Sequence, residues 1–61
     1  MADRLLTIPD VAELAGVSRM TVYRIIAADK LKAVNIALGT QRTKLRVRES
    51  AYEAFMKARE L

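Results

Sequence analysis

Arg42, Lys44, Arg46 and Arg48 recur at every second position, and no acid interrupts the chain between Lys30 and Arg48. On an extended strand that spacing points all four cations to one face. Like charges side by side repel, and a sheet face built only for solvation mixes its signs. One or two such charges would guard a sheet edge against aggregation. Four of them fit phosphate contacts or the minor groove of a duplex better. A second set comprises Ser18, Arg19, Met20, Thr21, Tyr23 and Arg24. Arg19 and Arg24 can each read guanine through a bidentate pair. The hydroxyls of Ser18, Thr21 and Tyr23 suit phosphate oxygens, and a helix N-terminus at Ser18 would add its own positive end. Met20 fits either a thymine methyl or half-buried packing. Tyr23 fits either an outward contact or a position along the core.

These residues need elements to carry them. Thr7-Ile8-Pro9-Asp10 reads as a helix start: Thr7 caps, Pro9 sits in the first turn, and Asp10 completes a capping box. Leu6 and Val11 have hydrophobic-staple spacing, and Ile8, Val11, Leu14 and Ala15 are expected to share the core face. Gly16 ends this helix, and Ser18 caps the next after one intervening residue. In that second helix Val22, Ile25 and Ile26 turn inward, while Arg19, Met20, Tyr23 and Arg24 project outward. Two short helices joined through Ala15-Gly16-Val17 make a helix-turn-helix.

Beyond Lys30 the period changes to two. Val34, Ile36 and Leu38 alternate with smaller or polar residues, Gly39-Thr40-Gln41 supplies a turn, and Thr43, Leu45 and Val47 alternate with the four cations. The expectation is a β-hairpin over residues 33–48 with one face on the core. Glu49-Ser50 opens a last helix with Tyr52, Phe55, Met56 and Arg59 on one stripe. The fold class is therefore mainly α with a small β-hairpin, a winged helix-turn-helix in the order helix, helix, hairpin, helix, as a single domain over residues 1–61.

Composition narrows the function. The chain has 61 residues and neither cysteine nor histidine, which removes disulfides, Cys/His zinc sites, thiol nucleophiles and histidine acid–base chemistry. Its longest apolar run is Ile25-Ile26-Ala27-Ala28, far short of a membrane span. A cytoplasmic protein without cofactor, metal or small-molecule substrate is expected, and not an enzyme. Net charge is +4, but residues 17–48 carry eight cations against Asp29 alone, a net of +7, with both flanks net negative. Charge sorted in this way calls for a polyanionic partner at the middle of the chain. Asp10 and Glu13 share a helix face and read as solvated rather than catalytic. Ala51, Ala54 and Ala58 of the last helix favour helix formation, with a protein-docking surface as the sharper alternative.

The run from Leu5 to Ile26, LLTIPDVAELAGVSRMTVYRII, resembles the start of the phage excisionase family of winged helix-turn-helix proteins. These are related to the DNA-binding domains of mercury-resistance-type regulators. The similarity continues through Lys30-Leu31-Lys32-Ala33-Val34, Leu45-Arg46-Val47 and Tyr52-Glu53-Ala54-Phe55. Lactose-repressor-type headpieces share the helix-turn-helix portion closely. The resemblance implies a small architectural protein, or recombination directionality factor, that accompanies a phage integrase. Such a protein binds attachment-site DNA cooperatively, bends it and biases recombination toward excision. It also implies that Ser18, Arg19, Thr21, Tyr23 and Arg24 contact the major groove, with Arg42, Lys44 and Arg46 as wing contacts. Two positions depart from the family: the stretch from Ile36 to Leu45 is longer than its short basic turn, and Asp29 stands where relatives often place glycine.

The expected partners are double-stranded DNA, a phage integrase and head-to-tail copies of the chain itself on DNA, using the wing of one and a helix of the next. Because motifs fill the chain from Met1 onward, a complete stand-alone factor is expected rather than a repressor headpiece. A transcriptional regulator of the same fold is the alternative, and a protein-interaction module using the alanine-rich helix is a third.

Overall fold

The computed structural model describes residues 3–39 and 42–59. In chain order it has β1 (Leu5–Leu6), α1 (Ile8–Ala15), α2 (Arg19–Ala27), β2 (Val34–Asn35), β3 (Leu45–Arg48) and α3 (Glu49–Lys57). This is a mainly helical winged helix-turn-helix, with the expected helices and hairpin and one further strand. The strand β1 is too short to display any period in the sequence. It pairs antiparallel with β3, which also pairs with β2, so the sheet order is β1-β3-β2.

The helix ends form as their residue types dictate. Asp10 N–H donates to the Thr7 hydroxyl and Thr7 N–H to the Asp10 carboxylate, both at 3.1 Å, closing the capping box. Gly16 takes φ 70°, with its N–H on the Glu13 carbonyl and that of Val17 on the Ala12 carbonyl, a Schellman ending. Ser18 Oγ then accepts from Thr21 N–H at 3.1 Å and caps α2. At the far end of α2 the same bond pattern recurs, Asp29 N–H to Ile26 O and Lys30 N–H to Ile25 O, around Asp29 at φ 60°. A non-glycine residue therefore occupies the left-handed position, against its steric preference.

One apolar cluster joins these elements: Leu6, Ile8, Val11, Ala12, Val22, Leu31 and Val47 are buried. Ile25, Ile26, Leu45, Tyr52 and Phe55 pack against it partly buried. The α1 core face differs from expectation, because Leu14 is 59% exposed and Ala12 is buried instead. With 3.6 residues per turn, Leu14 lies about 120° round from Ile8, whereas positions 8, 11, 12 and 15 fall on one stripe.

The hairpin is the larger correction. Only Val34–Asn35 and Leu45–Arg48 are strand, and their register sets Val34 opposite Arg46 and Asn35 opposite Leu45. Residues directly opposite in an antiparallel pair project from the same face. Val34 thus shares the outer face with Arg46, and the core face of the hairpin belongs to Leu45 and Val47. Ile36 (40%) and Leu38 (75%) are exposed rather than in the core, as is Thr43. The turn residues Thr40 and Gln41 lie outside the described residues.

Helix α3 begins without a cap of its own, since the N-cap residue Arg48 makes no side-chain capping bond. Asp3 supplies one from the other end of the chain. Its carboxylate accepts from Ser50 N–H at 3.2 Å and from the Ser50 hydroxyl, while Glu49 N–H donates to the Arg4 carbonyl at 2.8 Å. On the expected α3 stripe, Tyr52 and Phe55 are half-buried, Met56 is 39% exposed, and the Arg59 guanidinium lies 4.6 Å over the Phe55 ring.

Candidate nucleic-acid interface

Burial of Val22, with Ile25 and Ile26 half-buried, fixes the rotation of α2. Arg19, Met20, Tyr23 and Arg24 are consequently exposed, Met20 at 60% and Tyr23 at 48%. Arg19 and Tyr23, four residues apart, lie on one helical stripe, and Met20 and Arg24 form the adjacent one. The alternatives for Met20 and Tyr23 resolve toward solvent, since neither lies along the core. The Ser18 and Thr21 hydroxyls bond each other at 2.9 Å, so both are engaged in the cap that starts α2. They retain spare lone pairs, but their first role is to set the helix end.

The wing meets this surface through a groove. It is lined by Tyr23 of α2, by Thr7, Ile8 and Pro9 at the start of α1, and by the wing segment from Thr43 to Arg46. Lys44 and Arg46 therefore border the same depression as the exposed tyrosine of α2. The wing segment is tied down by Asn35, whose Oδ1 accepts from Ala37 N–H at 3.0 Å and from Lys44 N–H at 3.1 Å. Ile36 N–H continues the ladder to the Lys44 carbonyl at 2.9 Å. Sequence reasoning passed over Asn35. The available signal was an amide side chain inside an apolar alternation, where asparagine is disfavoured unless it bonds backbone.

The four wing cations are not equivalent. Only Arg46 and Arg48 lie in a strand, so the shared face expected for all four extends to those two alone. Arg42 and Lys44 stand in the exposed coil before it. Arg46 is half-buried, its guanidinium donates to the Leu45 carbonyl at 2.8 Å, and its charge reaches Asp10. Arg48 sits opposite Leu5 at the far end of β3, beside Asp3, away from the groove. The two carboxylates with perturbed acidity are structural. Asp10 is held below the ordinary range by the Thr7 N–H and hydroxyl, and Asp3 by the Ser50 hydroxyl and N–H.

An exposed second helix, a capped turn and a strand wing bordering one groove define a winged helix-turn-helix domain, a class built to bind DNA. A family model described as helix-turn-helix domain matches residues 5–60, and the chain belongs to that family, which includes excisionase-like DNA-binding proteins and is typically non-enzymatic. No curated protein and no solved structure matches it. Among the described residues, no helix is long and apolar enough to cross a membrane and no cluster of His, Cys, Asp or Glu could hold a metal ion.

Proposed function

We propose that this chain is a sequence-specific DNA-binding and DNA-bending architectural protein, an excisionase that directs integrase-mediated recombination toward excision. The observation that carries the DNA-binding part is the groove shared by Tyr23 of α2 and by Lys44 and Arg46 of the wing. Helix α2 enters the major groove and presents Arg19, Met20, Tyr23 and Arg24 to base edges, with Ser18 and Thr21 at the helix start against the backbone. Arg42, Lys44 and Arg46 follow the flanking phosphates or minor groove, with Arg48 as an outlying contact. The binding unit is a single domain over residues 1–61, acting in a bacterial host cytoplasm.

The excision role, with an integrase partner and head-to-tail copies on DNA, rests on the likeness to excisionases from Leu5 to Ile26. Footprinting on attachment-site DNA should show regularly spaced repeats protected together, and circularly permuted fragments should reveal a bend. One isolated operator without a bend would make the chain a transcriptional regulator of the same fold. If four to six cations meet phosphates, log K falls with log salt at a slope of roughly −4 to −5. A flat salt response removes duplex binding altogether.

A further inference from the structure

A second concave surface shares no residue with the groove at Tyr23. It is lined by Lys30, Lys32 and Arg59 and floored by Phe55, by Ala51 and Ala54 of α3 and by Ala58 at its end. The two lysines follow the C-terminal end of α2, which lies about 14 Å along the helix from its Ser18 cap. Arg59 is held in place by its 4.6 Å contact with the Phe55 ring. Beyond that arginine the surface continues into an apolar hollow that includes Val17 and Met56, 37% and 39% exposed. No acid lines either hollow.

We infer that this groove docks an acidic amphipathic segment of a partner protein, with carboxylates against Lys30, Lys32 and Arg59 and apolar side chains on the alanine floor. A DNA duplex would use the three cations, but its bases are stacked inside it and leave the floor of methyl groups and the phenyl ring uncovered, whereas apolar side chains bury there. Helix-in-groove recognition of this kind combines a narrow apolar seat with charge complementarity at its rim. A second copy of this chain is a poorer fit. With a net charge of +4, a copy would bring more cations than carboxylates to a rim that already holds three. The groove shares no lining residue with the one at Tyr23, so the partner and DNA bind together.

The test is a nuclear magnetic resonance titration of the full chain with a synthetic helix of leucine and glutamate. A leucine–lysine helix and a leucine-free glutamate peptide serve as controls. The expected result is saturable shifts at Lys30, Lys32, Ala54 and Phe55 with the first peptide only, retained when duplex DNA is added. Lys30→Glu with Lys32→Glu should weaken binding roughly tenfold or more. Ala54→Trp, at an exposed position, should abolish it with the melting temperature unchanged. Equal binding of the leucine-free peptide, or displacement of the first peptide by DNA, overturns the inference. Concentration-dependent dimerisation without peptide, shifting the same residues, also overturns it by making a second copy the occupant.

Discussion

The helix-turn-helix and the wing are held by different kinds of bond. In α1, the turn and α2, each cap closes within three to five residues: Thr7 with Asp10, Val17 with Ala12, Ser18 with Thr21. In the wing, Asn35 reaches nine residues to Lys44, and β3 depends on β1 from the opposite end of the sequence. In the proposed function α2 reads base edges and must keep one orientation, which bonds within its own stretch of chain give it. The phosphate contact proposed for the wing tolerates adjustment, and the wing's placement rests on contacts distant in sequence.

The harshest way to break this contrast is Leu6→Ala. Leu6 is 1% exposed, pairs with Val47 at 0%, and joins the sheet to the α1–α2 core. Truncation should cost about 2–5 kcal/mol, a large share of what so small a domain holds. Thermal denaturation followed on both halves should show them melting together. If α1 and α2 keep full amide protection while only the wing loses it, the two regions are independent units and the shared core is not what couples them.

Binding separates the regions next. Arg19→Ala or Arg24→Ala should cost ~1–3 kcal/mol and relax preference at one base pair, as a base-reading contact does. Lys44→Ala should instead weaken every sequence alike and reduce the salt slope by about one unit. Arg46→Ala should reduce it less, because its guanidinium is already bonded to the Leu45 carbonyl. Titrations at several salt concentrations on matched and mismatched duplexes distinguish the two patterns. Uniform weakening from Arg19→Ala would move that residue from the bases to the backbone.

The same division decided what the sequence could disclose. Thr7, Asp10, Gly16 and Ser18 announce their roles by type and spacing, and the helix-turn-helix follows from them. Leu14 misled because spacing by six was read as one face when Ala12 completes the stripe. The wing was legible as a hairpin but not in its faces. Two apolar alternations look alike whether they share a face or oppose each other, and only the register, Val34 against Arg46, decides. Asp3 capping α3 was invisible, since nothing local links it to Ser50 forty-seven residues on. For the site, exposure of Arg19, Tyr23 and Arg24 followed from the position of Val22. The unequal standing of Arg42, Lys44, Arg46 and Arg48 did not, because strand length is set by pairing rather than by alternation.

Two left-handed helix ends sharpen the account of the helix-turn-helix. Gly16→Ala meets nothing within 4 Å of the added Cβ, so its cost is conformational alone, about 1–2 kcal/mol. Asp29→Gly relieves the same strain at φ 60° and should stabilise by somewhat less, since glycine also loosens the unfolded chain. Melting temperatures moving in opposite directions confirm both; a destabilised Asp29→Gly would mean that the aspartate side chain holds the α2 end. For the wing, Asn35→Ala removes the acceptor for two amides and should cost about 0.5–1.5 kcal/mol. Hydrogen exchange should quicken at Lys44 and Ala37 and stay unchanged through α1 and α2.

The smallest expected effect is on acid stability, and it again separates a local bond from a long-range one. Asp10 and Asp3 both titrate below the ordinary 3.8, Asp10 chiefly through the Thr7 N–H and Asp3 chiefly through the Ser50 hydroxyl. A carboxylate depressed in the folded state binds fewer protons there than in the unfolded chain. Its contribution is therefore fully present above 3.8 and is lost as pH falls through the lower folded values. Asp10→Asn and Asp3→Asn should each flatten the acid limb of the stability curve and lower neutral-pH stability slightly. Their local signatures should differ: Asp10→Asn keeps one oxygen for the Thr7 amide and only weakens that bond, whereas Asp3→Asn leaves one acceptor oxygen for two Ser50 donors and loosens the start of α3. An acid limb with the parent's slope in both variants would mean that neither carboxylate keeps its cap in solution.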